Sequence, residues 1–391
     1  MTTEDSIAAE PETVTVVAGR RRWWPWLSGL IVVALAVAAV TGWLISRSET
    51  KSPSARDELQ SAQVALINAP GVHYTGRLTG TGGKSAGLDL RVTNVGDVSG
   101  TVDIGGGNLL NFLSIDGKTF LRGTRAAWLA YGFDQDEATY ADGEQILEPA
   151  SFYDLRLADA LRPVTLGRRL DPNADKRIPV TLGAATTLGG HRSQGIVSDT
   201  VTTYVSSGRP ERIVDPNFDV LLDMMSVDEV ARFYSDLRPT VTALDDASNT
   251  ETKVTTEGGW SNPCGPSCTA VSTLTSSPQP FLAITIPGYT APVDDIFVSY
   301  QTTITVNGDA TQRPDCSGVV QMPGNGTTTL SCAFTAGPGS HVGSTLTVRP
   351  VLGRARADAL VATLDTDAKH SRDKANCVIE SLHGEPSGTG C

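Results

Sequence analysis

The sequence predicts an α+β protein: an antiparallel sheet covered by helices, then an all-β, Ig-like sandwich, both behind a single N-terminal transmembrane helix. Three observations carry this. Apolar and polar residues alternate between glycine turns over much of residues 71–236, the period-2 signature of half-buried strands. Helical spacing interrupts the alternation at the start, middle and end of that region, and helices set apart from an antiparallel meander define the α+β class. All six cysteines, Cys264, Cys268, Cys316, Cys332, Cys377 and Cys391, lie in the last third, which suggests disulfides formed outside the cytoplasm.

The 391 residues suffice for two domains with separate cores, and 39 Gly and 22 Pro with few aromatics fit turn-rich β-structure. A net charge of -12 argues against nucleic acid as a partner, because a phosphate backbone requires a clustered basic surface.

Residues 1–22 read as a disordered cytoplasmic tail ending in Arg20, Arg21 and Arg22. Trp23, Trp24 and Trp26 then precede an uncharged run from Leu27 to Ile45 that stops before Arg47. About 20 apolar residues cross a hydrocarbon core as a helix. The tryptophans, with Trp43 at the far end, match interfacial belts, and the arginines favour a cytoplasmic N-terminus. Residues 23–46 are therefore expected to be a retained signal anchor in the cell membrane, leaving the bulk of the chain extracytoplasmic. A cleaved signal peptide is the rival reading, but its apolar core would be shorter and Ala38 lies too deep in the run.

Ser54 with Asp57 forms a capping pattern, and Leu59, Ala62 and Leu66 recur on one helical face until Pro70. Leu88, Leu90 and Val92, then Val98, Val102 and Ile104, alternate with polar residues. Asp116-Gly117 marks a hairpin turn inside "LLNFLSIDGKTFLRG". "SFYDLRLADALRPV" reads as a helix with Phe152, Leu155, Leu157 and Leu161 available for burial, ended by Pro163. After further strands, "NFDVLLDMMSVDEVARFYSDL" reads as a closing helix before Pro239.

Residues 241–257 have the composition of a linker, so domain boundaries are expected at 53–240 and 258–391. Beyond the linker, "FLAITIPG", "DDIFVSYQTTITVNG", "PDCSGVVQM", "TTTLSCAFTAG" and "STLTVRPVLG" suggest a sandwich with Cys316 and Cys332 facing inward. Proximity pairs Cys316 with Cys332, Cys264 with Cys268, and Cys377 with Cys391, although six cysteines permit 15 connectivities. Arg354 to Ala375 reads as a helical extension.

Residues from about 55 to 236 resemble the actinobacterial LppX/LprG-type envelope lipoproteins, relatives of the LolA carriers. The resemblance rests on "INAPGVHYTGRLTG", "LDLRVTNVGDVSGTV", "SIDGKTFLRG" followed by Trp128, and "YVSSGRPERIV". It implies a curved half-barrel closed by helices over an apolar cavity that binds acyl chains of lipids or lipoglycans. The chain departs from the family in having a transmembrane run in place of a lipidated cysteine and an added cysteine-rich sandwich. If Leu110 and Phe112 lie with Leu88, Leu90, Val92, Val102 and Ile104 on the concave face, they would wall an acyl-chain pocket, at roughly 0.8 kcal/mol per buried methylene. An ordinary filled core is the competing reading.

Catalytic and metal signatures are not visible. "WSNPCGPSC" has CxxxC spacing between prolines, and His73, His191, His341, His370 and His383 are scattered. The glycine runs at 80–83 and 104–107 separate strands rather than open a helix. The sequence thus predicts a non-enzymatic, membrane-anchored lipid- or lipoglycan-binding protein without cofactor or metal, its sandwich available to an envelope protein partner. The alternative is a structural or interaction protein of the envelope without a lipid ligand.

Overall fold

The computed structural model describes residues 54–80, 83–148, 156–250, 252–260, 267–278 and 294–382. The expected cytoplasmic tail, the 23–46 anchor, the "FLAITIPG" strand, Phe152 and Leu155, Cys264 and Cys391 lie outside them. Among the described residues, no helix is long and apolar enough to cross a membrane.

Helix α1 (Ala55–Asn68) starts where Ser54 accepts from the Asp57 amide while the Asp57 carboxylate accepts from the Ser54 amide. Such a box is worth about 1 kcal/mol of helix stability. Its buried Leu59, Ala62 and Leu66 face the sheet, and Pro70 follows the cap at Ala69.

A meander follows: β1 (Gly71–Thr79), β2 (Ser85–Thr93), β3 (Val98–Asp103), β4 (Leu109–Ile115) and β5 (Lys118–Gly123). The β4–β5 turn is the expected Asp116-Gly117, both with positive φ (52° and 69°), as a primed hairpin turn requires. Gly76 and Gly100 let neighbouring backbones approach closely. A Cβ on them would lie 2.2 Å from the Asp219 carbonyl oxygen and 2.0 Å from that of Asp89, so no other residue fits there.

Two short helices, α2 (Arg125–Tyr131) and α3 (Gln135–Tyr140), lead to β6 (Gln145–Glu148). Where one helix ending at Pro163 was expected, there are two, α4 (Leu157–Leu161) and α5 (Pro163–Arg169). Pro163 begins the second instead of only ending the first, because the first turn of a helix does not need its missing N–H.

Strands β7 (Val180–Leu182), β8 (Thr186–Leu188), β9 (His191–Ser198), β10 (Val201–Ser206), β11 (Arg209–Asp215) and β12 (Phe218–Met225) return to the sheet. β12 corrects the expected closing helix: Phe218 to Met225 pair with β1 over its length, from Gly71↔Met225 to Leu78↔Phe218. The helix α6 begins only at Val227, capped by Ser226 with Glu229, and runs through Pro239 to Thr242. Phe218, Val220 and Leu222 are buried in alternation, so pairing along β1 overrides the helical spacing.

The stretch expected as a linker is also structured. A 3₁₀ turn at Ala243–Asp246 leads to β13 (Ser248–Asn249) and β14 (Thr252–Trp260). β13 pairs parallel with β6 and antiparallel with β19 (Val342–Val351), through Ser248↔Val351. With β16 (Ile296–Val306) and β17 (Asp309–Met322), β19 extends the main sheet to 16 strands.

β14, β15 (Ser267–Pro278) and β18 (Gly326–Thr335) form a separate three-stranded sheet. Its inward residues share cores with β16 and β17: Leu274 packs with Ile296, Val298 and Met322, and Phe334 with Ile304. The expected Cys316–Cys332 disulfide staples this core, and Cys268 is disulfide-bonded as well.

The last helix, α7 (Arg354–Leu382), belongs to a different core from the stapled strands. Its Ala357, Leu360 and Leu364 join Val230, Phe233, Leu237 and Val241 of α6 in one cluster.

Candidate functional site

Strand register brings the apolar residues singled out in the sequence onto one face. Leu88 sits opposite Val102, Val102 opposite Leu110, and Gly100 lies between Leu90 and Phe112. Leu88, Leu90, Val92, Val102, Leu110 and Phe112 are buried, and Ile104 packs against the same cluster. Helical residues close over them: Leu59 and Leu66 from α1, Trp128 from α2, Leu161 from α4 and Leu166 from α5.

Two polar atoms interrupt this apolar interior. The Tyr74 hydroxyl and the Trp128 Nε1 are buried without a hydrogen-bond partner. Tyr74 stands between Leu90 and Leu222 in the register, and burial pushes its phenol pKa up. Buried polar groups are nearly always paired, and each orphan costs about 1–3 kcal/mol.

Trp128 stacks on Phe133 at 4.8 Å between ring centroids. Phe133 in turn lines a cleft of about 630 Å³, within the range of roughly 300–1,000 Å³ usual for small-molecule sites. Ala141 and Ile146 also line it and belong to the interior cluster, so the cleft abuts the rim of that cluster. Tyr140, Val254, Val348 and Pro350 complete the apolar wall, while Asp136, Glu137 and Lys253 supply a charged edge.

Behind the cleft, Arg349 fixes the junction of β6, β13 and β19. Its guanidinium donates to Glu144 at 2.7 Å, to the Ser248 hydroxyl at 3.3 Å and to Asp246 at 2.5 Å. Burial opposes its charge, but these carboxylates hold its pKa above the ordinary value. The Tyr140 hydroxyl lies 3.4 Å from Ser248 Oγ, and burial raises its pKa. The cleft thus presents an apolar wall with a charged edge, while the two unpaired polar groups lie in the fully buried interior beside it.

Sequence reasoning found the interior residues and missed the cleft. Phe133 lies in the aromatic stretch after Trp128, but Lys253, Val254 and Val348 join it at the cleft only through β14 and β19, which local patterns do not announce. His73 is held by Asp89 at 2.6 Å, away from the cleft residues in sequence and partners. Among the described residues, no three His, Cys, Asp or Glu side chains group to hold a metal ion.

No family model matches the chain, and no curated protein matches it. Among solved structures, the crystal structure of MucB aligns with 79% of this chain and 96% of its own, at 12% identity and a TM-score of 0.26. The Pseudomonas aeruginosa MucA/MucB complex aligns with 78% of this chain and 96% of that one, at 12% identity and a TM-score of 0.24. TM-scores this low do not establish a shared fold.

Proposed function

We propose that the chain is a membrane-anchored, extracytoplasmic binding protein for an acylated lipid or lipoglycan, acting in envelope lipid transfer or presentation and carrying out no catalysis. In this reading the helix-covered sheet is a LolA/LprG-like half-barrel, and the disulfide-stapled module is an Ig-like sandwich that meets an envelope protein. One observation carries the reading. Tyr74 and Trp128 leave a hydroxyl and an N–H unpaired inside an apolar cluster. A ligand of long apolar chains with a few ester or amide oxygens would bury its methylenes among Leu90, Phe112 and their neighbours and accept from both groups. The cleft beside Phe133 gives the entry, with its charged edge for the headgroup.

The test is native mass spectrometry with lipid extraction on the full chain purified from its envelope, beside an unrelated single-pass protein purified identically. A stoichiometric lipid present only in this chain, and lost in Phe112→Asp and Phe133→Asp with circular dichroism unchanged, is the expected result. An equal lipid content in the two proteins would sink the proposal.

A further inference from the structure

Where α1, α5 and α7 meet, three cations gather. α5 presses against the end of α1 at Gly167, where a Cβ would lie 2.6 Å from Ile67 Cγ1, and Arg168 is the next residue. Lys374 of α7 donates from Nζ to the Ile67 carbonyl oxygen at 3.4 Å. One turn earlier on α7, Ser371 donates to Asn94 Oδ1 at 2.9 Å, and the Asn94 carbonyl accepts from Arg162 Nε at 2.9 Å. Shared partners therefore bring Arg162 and Lys374 to one corner, and Arg168 joins them by following Gly167 where α5 meets Ile67.

Among the described residues, none of the three makes an ion pair. The Arg162 and Lys374 side chains bond only to carbonyls, and the Arg168 guanidinium has no bonding partner. A single cation would complement the terminal carbonyls of α1; three repel one another. The Lys374 pKa is drawn down, by burial first and then by Arg162 and Arg168. Asp97 and Asp367 lie within electrostatic reach of Arg162 without bonding to it, and burial raises both carboxyls. In a chain of net charge -12, this corner gathers three cations, none of them held in an ion pair among the described residues.

We infer that Arg162, Arg168 and Lys374 form a binding site for a phosphate-class oxyanion, either free phosphate or the phosphate of a lipid headgroup. Two planar guanidinium forks and one ammonium match the oxygens of such a group. The site is separate from the apolar interior and does not depend on an acyl ligand, so either reading can fail without the other.

The experiment is calorimetric titration of the full chain in uncharged detergent with inorganic phosphate, then with short-chain phosphatidylglycerol or phosphatidylcholine. Saturable binding of phosphate identifies a free-anion site; binding of phosphatidylglycerol alone, without phosphatidylcholine, identifies a headgroup site. In either case Arg168→Ala and Lys374→Gln should each weaken binding at least tenfold. The Arg168 side chain is exposed and bonded to nothing, so Arg168→Ala keeps the fold, which thermal unfolding checks. No binding in any arm, or binding that both variants leave unchanged, overturns the proposal.

Discussion

Tyr234 of α6 donates its hydroxyl to Asp97, in the turn between β2 and β3, at 3.0 Å. The same hydroxyl lies 3.2 Å from Ser371 Oγ of α7, so one phenol ties together the sheet and both long helices. Burial, then the nearby Asp367, pushes the Asp97 carboxyl up to about 7; Asp116 adds to the rise, while Tyr234 and Arg162 oppose it. The native state thus holds a proton that the unfolded chain has already lost between its ordinary value of 3.8 and about 7. Stability from this group is full below that window and falls as pH rises through it, by about 4 kcal/mol at most. Thermal unfolding of wild type and Asp97→Asn between pH 4 and 8 should show wild type losing more stability than the variant. Parallel profiles would remove Asp97 as the source.

Tyr74→Phe deletes a hydroxyl that has no partner and leaves the ring in place. The ligand-free protein should become more stable by about 1 kcal/mol, since a buried unpaired group carries a net cost. In the same variant, lipid recovered with the protein should decrease. Chemical denaturation and lipid quantification on one preparation read both effects; a destabilised variant would mean that the hydroxyl is satisfied in the free protein.

Gly100→Ala places a methyl 2.0 Å from the Asp89 carbonyl oxygen, whereas at Gly87 the nearest atom would be 3.4 Å away. The first substitution should cost more than about 2 kcal/mol and the second well under half of that. Equal midpoints in denaturant for the two variants would contradict the close approach of β2 and β3.

Replacing Cys316 and Cys332 together by alanine opens a disulfide that spans 16 residues. A loop of that length should cost about 3 kcal/mol. Limited proteolysis should then cut first between β16 and β18, and only afterwards in the strands around Leu90. Simultaneous cleavage would show that the staple supports the whole chain rather than its own sheet pair.

Local chemistry was the legible part of this fold. Ser54 with Asp57 marked the start of α1, Asp116-Gly117 marked the β4–β5 turn, and the alternation of Leu88, Leu90 and Val92 gave a face that register then filled. Phe218 to Met225 misled because Leu221 and Met225 also satisfy helical spacing, and only the vacant edge of β1 decides for a strand. Even so, Ser226 with Glu229 marked the true helix start in plain sight. The threonine-rich residues of β14 look like a linker because half of what makes them a strand, the β15 register, lies elsewhere in sequence. The candidate site divided in the same way. Its apolar interior follows from periodicity, while the cleft and the cationic corner depend on residues far apart in the chain, such as Phe133 with Val348 or Ile67 with Lys374.

The pairing of β13 with β19 has a topological meaning. Ser248 lies opposite Val351, the Leu352 amide donates to the Ala247 carbonyl, and the Gly353 amide donates to that of Asp245. The chain therefore leaves for the disulfide-stapled strands and comes back at a single doorway, then resumes with α7 against α6. The stapled strands are a long excursion whose two ends adjoin, and the chain continues beyond them into a helix that shares a core with α6. Segments whose ends adjoin can be gained, lost or exchanged while the rest of the fold stays intact. The cleft straddles that junction: Phe133, Tyr140 and Ile146 come from before the excursion, and Lys253, Val254, Val348 and Pro350 come from the strands that leave and return.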